Sequence, residues 1–62
     1  MNEREVTGTY RSTIDGSEIV VTDHPYVPYL VVVVYANGDE EFRRRSEVIE
    51  NVEGLHLWER VR

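Results

Sequence analysis

Tyr29-Leu-Val-Val-Val-Val-Tyr35, closed by Ala36-Asn37-Gly38-Asp39 and followed by Glu40-Glu-Phe-Arg-Arg-Arg45, is the stretch on which the fold turns. Asn-Gly between two extended runs signals a β-hairpin, because a two-residue type I′ turn needs positive φ at both central positions. With Asn37 and Gly38 as that turn, Ala36 faces Asp39, Tyr35 faces Glu40, Val34 faces Glu41, Val33 faces Phe42 and Val32 faces Arg43. This register puts Tyr35, Val33, Val31 and Phe42 on one face, the expected core. Leu30, Val32 and Val34 fall on the other, beside Glu41, Arg43 and Arg45. The first strand is therefore apolar on both faces and its partner on one. A short chain has little material to cover a second apolar face, so the stripe Leu30, Val32, Val34 is expected to meet something else.

Working outward, Glu5-Val-Thr-Gly-Thr-Tyr-Arg-Ser-Thr13 alternates as a half-buried strand, with Val6, Gly8 and Tyr10 on one side. Gly8 marks a bulge or a close backbone approach. Ile14-Asp15-Gly16-Ser17 is a second hairpin signal, with Asp-Gly supplying positive φ, and Glu18-Ile-Val-Val-Thr22 follows as a strand. Asp23-His24-Pro25-Tyr26-Val27-Pro28 breaks the pattern. Each proline removes a donor and pushes its predecessor toward extended backbone, giving a loop in which His24 caps or packs. Past the central hairpin, Ser46 is the expected N-cap of a short helical turn through Glu50, and Asn51–Gly54 the turn that ends it. A short strand at 47–51 is the alternative. Leu55-His-Leu-Trp-Glu-Arg-Val61 alternates as the last strand, with Leu55, Leu57 and Val61 toward the core and His56, Trp58 and Arg60 away from it.

Composition bounds the rest. A domain of 62 residues buries only about 60% of its unfolded surface, and without cysteine no disulfide or thiolate site makes up the shortfall. Oligomerisation is the remaining common staple. The net charge of −5 argues against nucleic acid as a partner. All seven basic residues are arginine, which fits a GC-rich prokaryotic genome or a phage of such a host. No run approaches the roughly 20 apolar residues of a membrane span. Met1–Glu5 has neither the basic nor the apolar region of a signal peptide, so the expected location is cytoplasmic.

Five short strands with a helical turn between the fourth and fifth resemble SH3-like and Sm-like small barrels, including the small dimerisation barrel of some plasmid partition repressors. The resemblance covers about Glu5 to Val61 as a pattern of elements. It implies an all-β, five-stranded SH3-like barrel, one domain over residues 1–62, with one short helical turn before the last strand. The acidic-aromatic run of peptide-binding SH3 grooves is missing, so recognition of proline-rich ligands does not carry over. Fold alone supplies no function.

The expected interface is Leu30, Val32, Val34 and Trp58, since tryptophan is enriched at association hot spots. The expected partner is a second copy or another protein, in a non-enzymatic accessory role. Arg43, Arg45 and Arg60 form a basic edge that is either a phosphate-contacting site or a solvated edge paired with Glu40, Glu41 and Glu59. His24 and His56 lie in different elements among scattered carboxylates, and no motif points to a metal, a cofactor or catalysis. A ligand-sequestering barrel, with Pro25–Tyr29 as a lip, is the third reading.

Overall fold

The computed structural model describes residues 5–62; the expectation about a leader at Met1–Arg4 falls outside them. The fold is all-β: β1 (Gly8–Ser12), β2 (Glu18–Asp23), β3 (Leu30–Val34), β4 (Glu40–Arg44) and β5 (Trp58–Arg60), with a helical segment before β5. All pairings are antiparallel and the spatial order is β4-β3-β2-β1-β5. Hairpin connections account for the three pairings among β1 to β4, and β5 returns to the free side of β1. The edges of the sheet are thus β4 and β5. The segment that joins them, α1 (Arg45–Ile49) running on into a π-helical turn (Glu50–Gly54), buries Val48 and packs Ile49 and Val52 on the core. Helix rather than β4–β5 pairing completes the small barrel.

Period-two burial explains the core. Tyr10 of β1, Ile19 and Val21 of β2 and Val31 and Val33 of β3 are buried on the inner face, joined by Val6 and Val48. Tyr35 and Trp58 pack on this cluster from its margins.

The central hairpin departs from the expected register by one residue. Val34 pairs with Glu40, Val33 with Glu41, Val32 with Phe42, Val31 with Arg43 and Leu30 with Arg44. The loop has three residues rather than two: the Gly38 N–H donates to the Tyr35 carbonyl (2.9 Å), and the Tyr35 N–H to the Asp39 carbonyl (2.8 Å). Gly38 alone takes a positive φ (93°). Asn37 uses its amide oxygen to accept the Asp39 N–H (3.0 Å), as asparagine does in ordinary turns. A slip of one residue turns every side chain of β4 over. Phe42, expected in the core, is on the outer face and 62% exposed, whereas Glu41 and Arg43 stand on the inner side at the barrel's margin.

Two further expectations are corrected. The helix starts without an intervening loop, so its cap is Arg44 rather than Ser46, and the Glu47 carboxylate accepts the Arg44 N–H (3.1 Å). Residues 47–51 are helical, which removes the strand alternative, and the helical segment continues through the expected turn to Gly54. In β5 the alternation is right but the faces are reversed. Leu55 belongs to the exit from the π-helical turn, its N–H bonded to the Glu50 carbonyl (2.8 Å), and is 57% exposed. The left-handed His56 (φ 56°) then resets the chain direction. Trp58 therefore faces inward, its ring centroid 6.2 Å from that of Tyr10.

Candidate functional site

The outer face of the sheet is set by the same register. Successive cross-strand rows read Glu40–Val34–Val20–Thr9, then Phe42–Val32–Thr22, then Arg44–Leu30. Leu30, Val32 and Val34 thus form the expected stripe down β3, and the slip in β4 adds Phe42 beside Val32. From β2, Val20 joins at 41% exposure. His24 lies at the end of this face: its ring meets Phe42 edge-on, with centroids 4.7 Å apart. Trp58 is not part of the surface; it lies on the inner face. Sequence reasoning missed Phe42 and Val20. The alternation in Glu18–Asp23 already placed Val20 opposite Ile19 and Val21, so Val20 was within reach of the pattern.

The 24–29 connection is held in place at one end of that face. His24 Nδ1 accepts the N–H groups of Tyr26 (3.1 Å) and Val27 (3.0 Å), which puts the imidazole proton on Nε2. Arg45 binds the connection to the start of α1: its Nε donates to the Pro28 carbonyl (2.7 Å), its Nη2 to the Asp23 carboxylate, and its N–H to the Tyr29 carbonyl (3.1 Å).

The three arginines of the expected basic edge are not brought together. Arg43 is held by Glu41 (2.8 Å) and reaches Glu47 (3.6 Å) on the inner side of β4. The Tyr35 hydroxyl donates to the same Glu41 oxygen (2.7 Å). Those bonds, from Tyr35 first and then Arg43, hold the Glu41 carboxyl below the ordinary carboxylate range, while partial burial and the bond to Glu41 raise the Tyr35 phenol. Arg60 lies at the opposite edge of the sheet, where Nη1 donates to the carbonyl of Thr7 (3.0 Å) and Nη2 to the carbonyl of Glu5 (2.9 Å) and the Tyr10 hydroxyl (3.0 Å). Its guanidinium carbon stands 5.1 Å from the Tyr10 ring centroid. Each arginine therefore serves a separate structural joint.

No group of three or more His, Asp or Glu side chains converges on a metal-binding position among the described residues, and His56 is exposed in its own loop. Among the same residues no helix is long and apolar enough to cross a membrane. Comparison with protein-family models, with curated proteins and with solved structures returns no match.

Proposed function

We propose that the protein is a non-enzymatic interaction module of a prokaryotic or phage accessory type, and that it binds protein through the outer face of its sheet. The observation that carries this reading is the patch Leu30, Val32, Val34, Phe42 and Val20, apolar side chains contiguous across three strands and facing away from the core. The core is already filled by the inner-face valines, and the outer patch leaves Phe42 62% and Val20 41% exposed. Strand faces turned to water ordinarily carry polar side chains, and contiguous apolar patches on small soluble domains mark association sites. The basic-edge reading draws no support from Arg43, Arg45 and Arg60, whose donors are engaged within the chain.

Val32→Asp tests the proposal, because Val32 is central in the patch and contributes nothing to the inner core. The variant is expected to keep the wild-type circular dichroism spectrum and to lose self-association and any captured protein. A folded variant with unchanged native mass and unchanged partners would overturn the reading.

A further inference from the structure

We infer that the occupant of this face is a second copy of the same chain, docked about a two-fold axis that runs along the Phe42–Val32 row. The inference rests on the proposed role of the face and adds its partner and register. Its ground is the charge pattern along β4. Glu40, Phe42 and Arg44 are successive outer-face residues, so an acid and a base stand about 7 Å to either side of the Phe42–Val32 row. A two-fold axis along that row exchanges the two sides. Glu40 then meets the partner's Arg44, Arg44 meets the partner's Glu40, and Val34 meets the partner's Leu30. Phe42 and Val32 stack on their own equivalents at the axis. An isologous interface demands this kind of self-complementarity, since the same surface must serve as both halves.

The contrast between the two sides of β4 strengthens the assignment. On the inner side, Glu41 and Arg43 pair with one another. On the outer side, Glu40 and Arg44 are exposed and form no ion pair among the described residues. The next charged row outward on this face is Glu18–Arg11–Glu59, in which Arg11 stands between two acids. Sheets packed face to face lie about 10 Å apart, within joint reach of a glutamate and an arginine.

Charge reversal distinguishes this arrangement from other uses of the face. Glu40→Arg places like charges at both symmetry-related contacts, and Arg44→Glu does the same with the opposite sign. Each variant alone is expected to weaken the dimer at least about tenfold, as close like-charge contacts do. Mixed one to one, the two are expected to form a heterodimer, identified in native mass spectrometry by its intermediate mass. In that heterodimer positions 40 and 44 are both basic on one protomer and both acidic on the other, so each of the two contacts again joins opposite charges. Val32→Asp is measured alongside. If it dissociates the dimer while both charge variants remain dimeric, the two-fold register is wrong and the interface stands. A wild type that is monomeric across the micromolar range overturns the second copy as occupant. A folded Val32→Asp that keeps the dimer mass of the wild type, with unchanged partners, overturns the reading beneath it.

Discussion

At the residue scale, Gly8 shows how one position ties the ends of the chain together. Its φ of 145° lies where L side chains are rarely found, and a Cβ there would overlap the Arg62 carbonyl oxygen and come within 2.6 Å of Arg60 Nη1. The Thr9 N–H donates to that same carbonyl (3.0 Å), and the Val61 N–H to the Thr9 carbonyl (2.8 Å), so the chain has no slack to move aside. Gly8→Ala therefore carries both a backbone cost and a collision. A residue forced into such a conformation costs on the order of 1–3 kcal/mol. In a domain of this size each kcal/mol moves Tm by roughly 4–8 °C. Thermal unfolding of Gly8→Ala is expected to show a fall of about 10 °C or more. An unchanged Tm would mean that β1 and β5 are not packed as closely as the structure has them. Interrupting an otherwise regular strand, Gly8 reads in the sequence as a bulge or a close backbone approach, and a close approach is what the structure has. The identity of what approaches was not legible there, because Arg62 and Gly8 are far apart in the chain.

At the element scale, the central hairpin separates what the sequence states from what it leaves open. The existence of five strands and the inward face of β3 follow from local alternation and turn residues, whereas the segment before β5 reads as a helical turn with a strand as its alternative. The register of β4 does not follow, because Asn-Gly serves a two-residue I′ loop and a three-residue loop with glycine in the left-handed region equally well. Alternation in Glu40–Arg44 could not arbitrate: one parity offers a lone Phe42, the other two charged residues that the barrel margin can hold. Trp58 was misplaced for a related reason. Its neighbours Leu55 and Leu57 read as core residues of a strand that in fact begins only at Trp58. The loop itself is testable. Tyr35 is already bonded to Asp39, so deleting Ala36 leaves Asn37-Gly38 as a two-residue loop closing the same pair. The deletion variant is expected to fold with Tm within a few degrees of wild type and to retain NMR contacts between Val32 and Phe42. Contacts between Val33 and Phe42 instead would show that loop length, rather than packing, dictates the register.

At the scale of the whole molecule, stability depends on a small valine-rich core and on polar joints at its margins, and these joints give it a defined response to pH. Tyr10 is buried and donates its hydroxyl proton to the Val6 carbonyl (2.8 Å) while accepting from Arg60. Burial raises its phenol above the ordinary value, outweighing the pull of Arg60, and the Tyr35 phenol is raised as well. A group raised in the folded state contributes stability that is complete below the unfolded value, about 10 for tyrosine, and is lost as pH rises through the folded value. The acid side runs the other way. Glu41 is lowered by the bonds from Tyr35 and Arg43, and Asp15 by the backbone and side-chain bonds from Ser17. Their contributions are complete above the ordinary carboxylate range near about 4 and fade as pH falls through the lowered values. Chemical denaturation is thus expected to give a plateau through neutral pH, with a fall below about 4 and another above about 10. Tyr10→Phe assigns the alkaline fall. The variant keeps the ring that Trp58 packs against but has no proton to lose, so its stability should decline less steeply than wild type above the plateau. It should also be lower at neutral pH by about 1 kcal/mol, the usual worth of a hydrogen bond. If both proteins decline in parallel at high pH, the Tyr10–Val6–Arg60 joint is not what holds the first strand to the last.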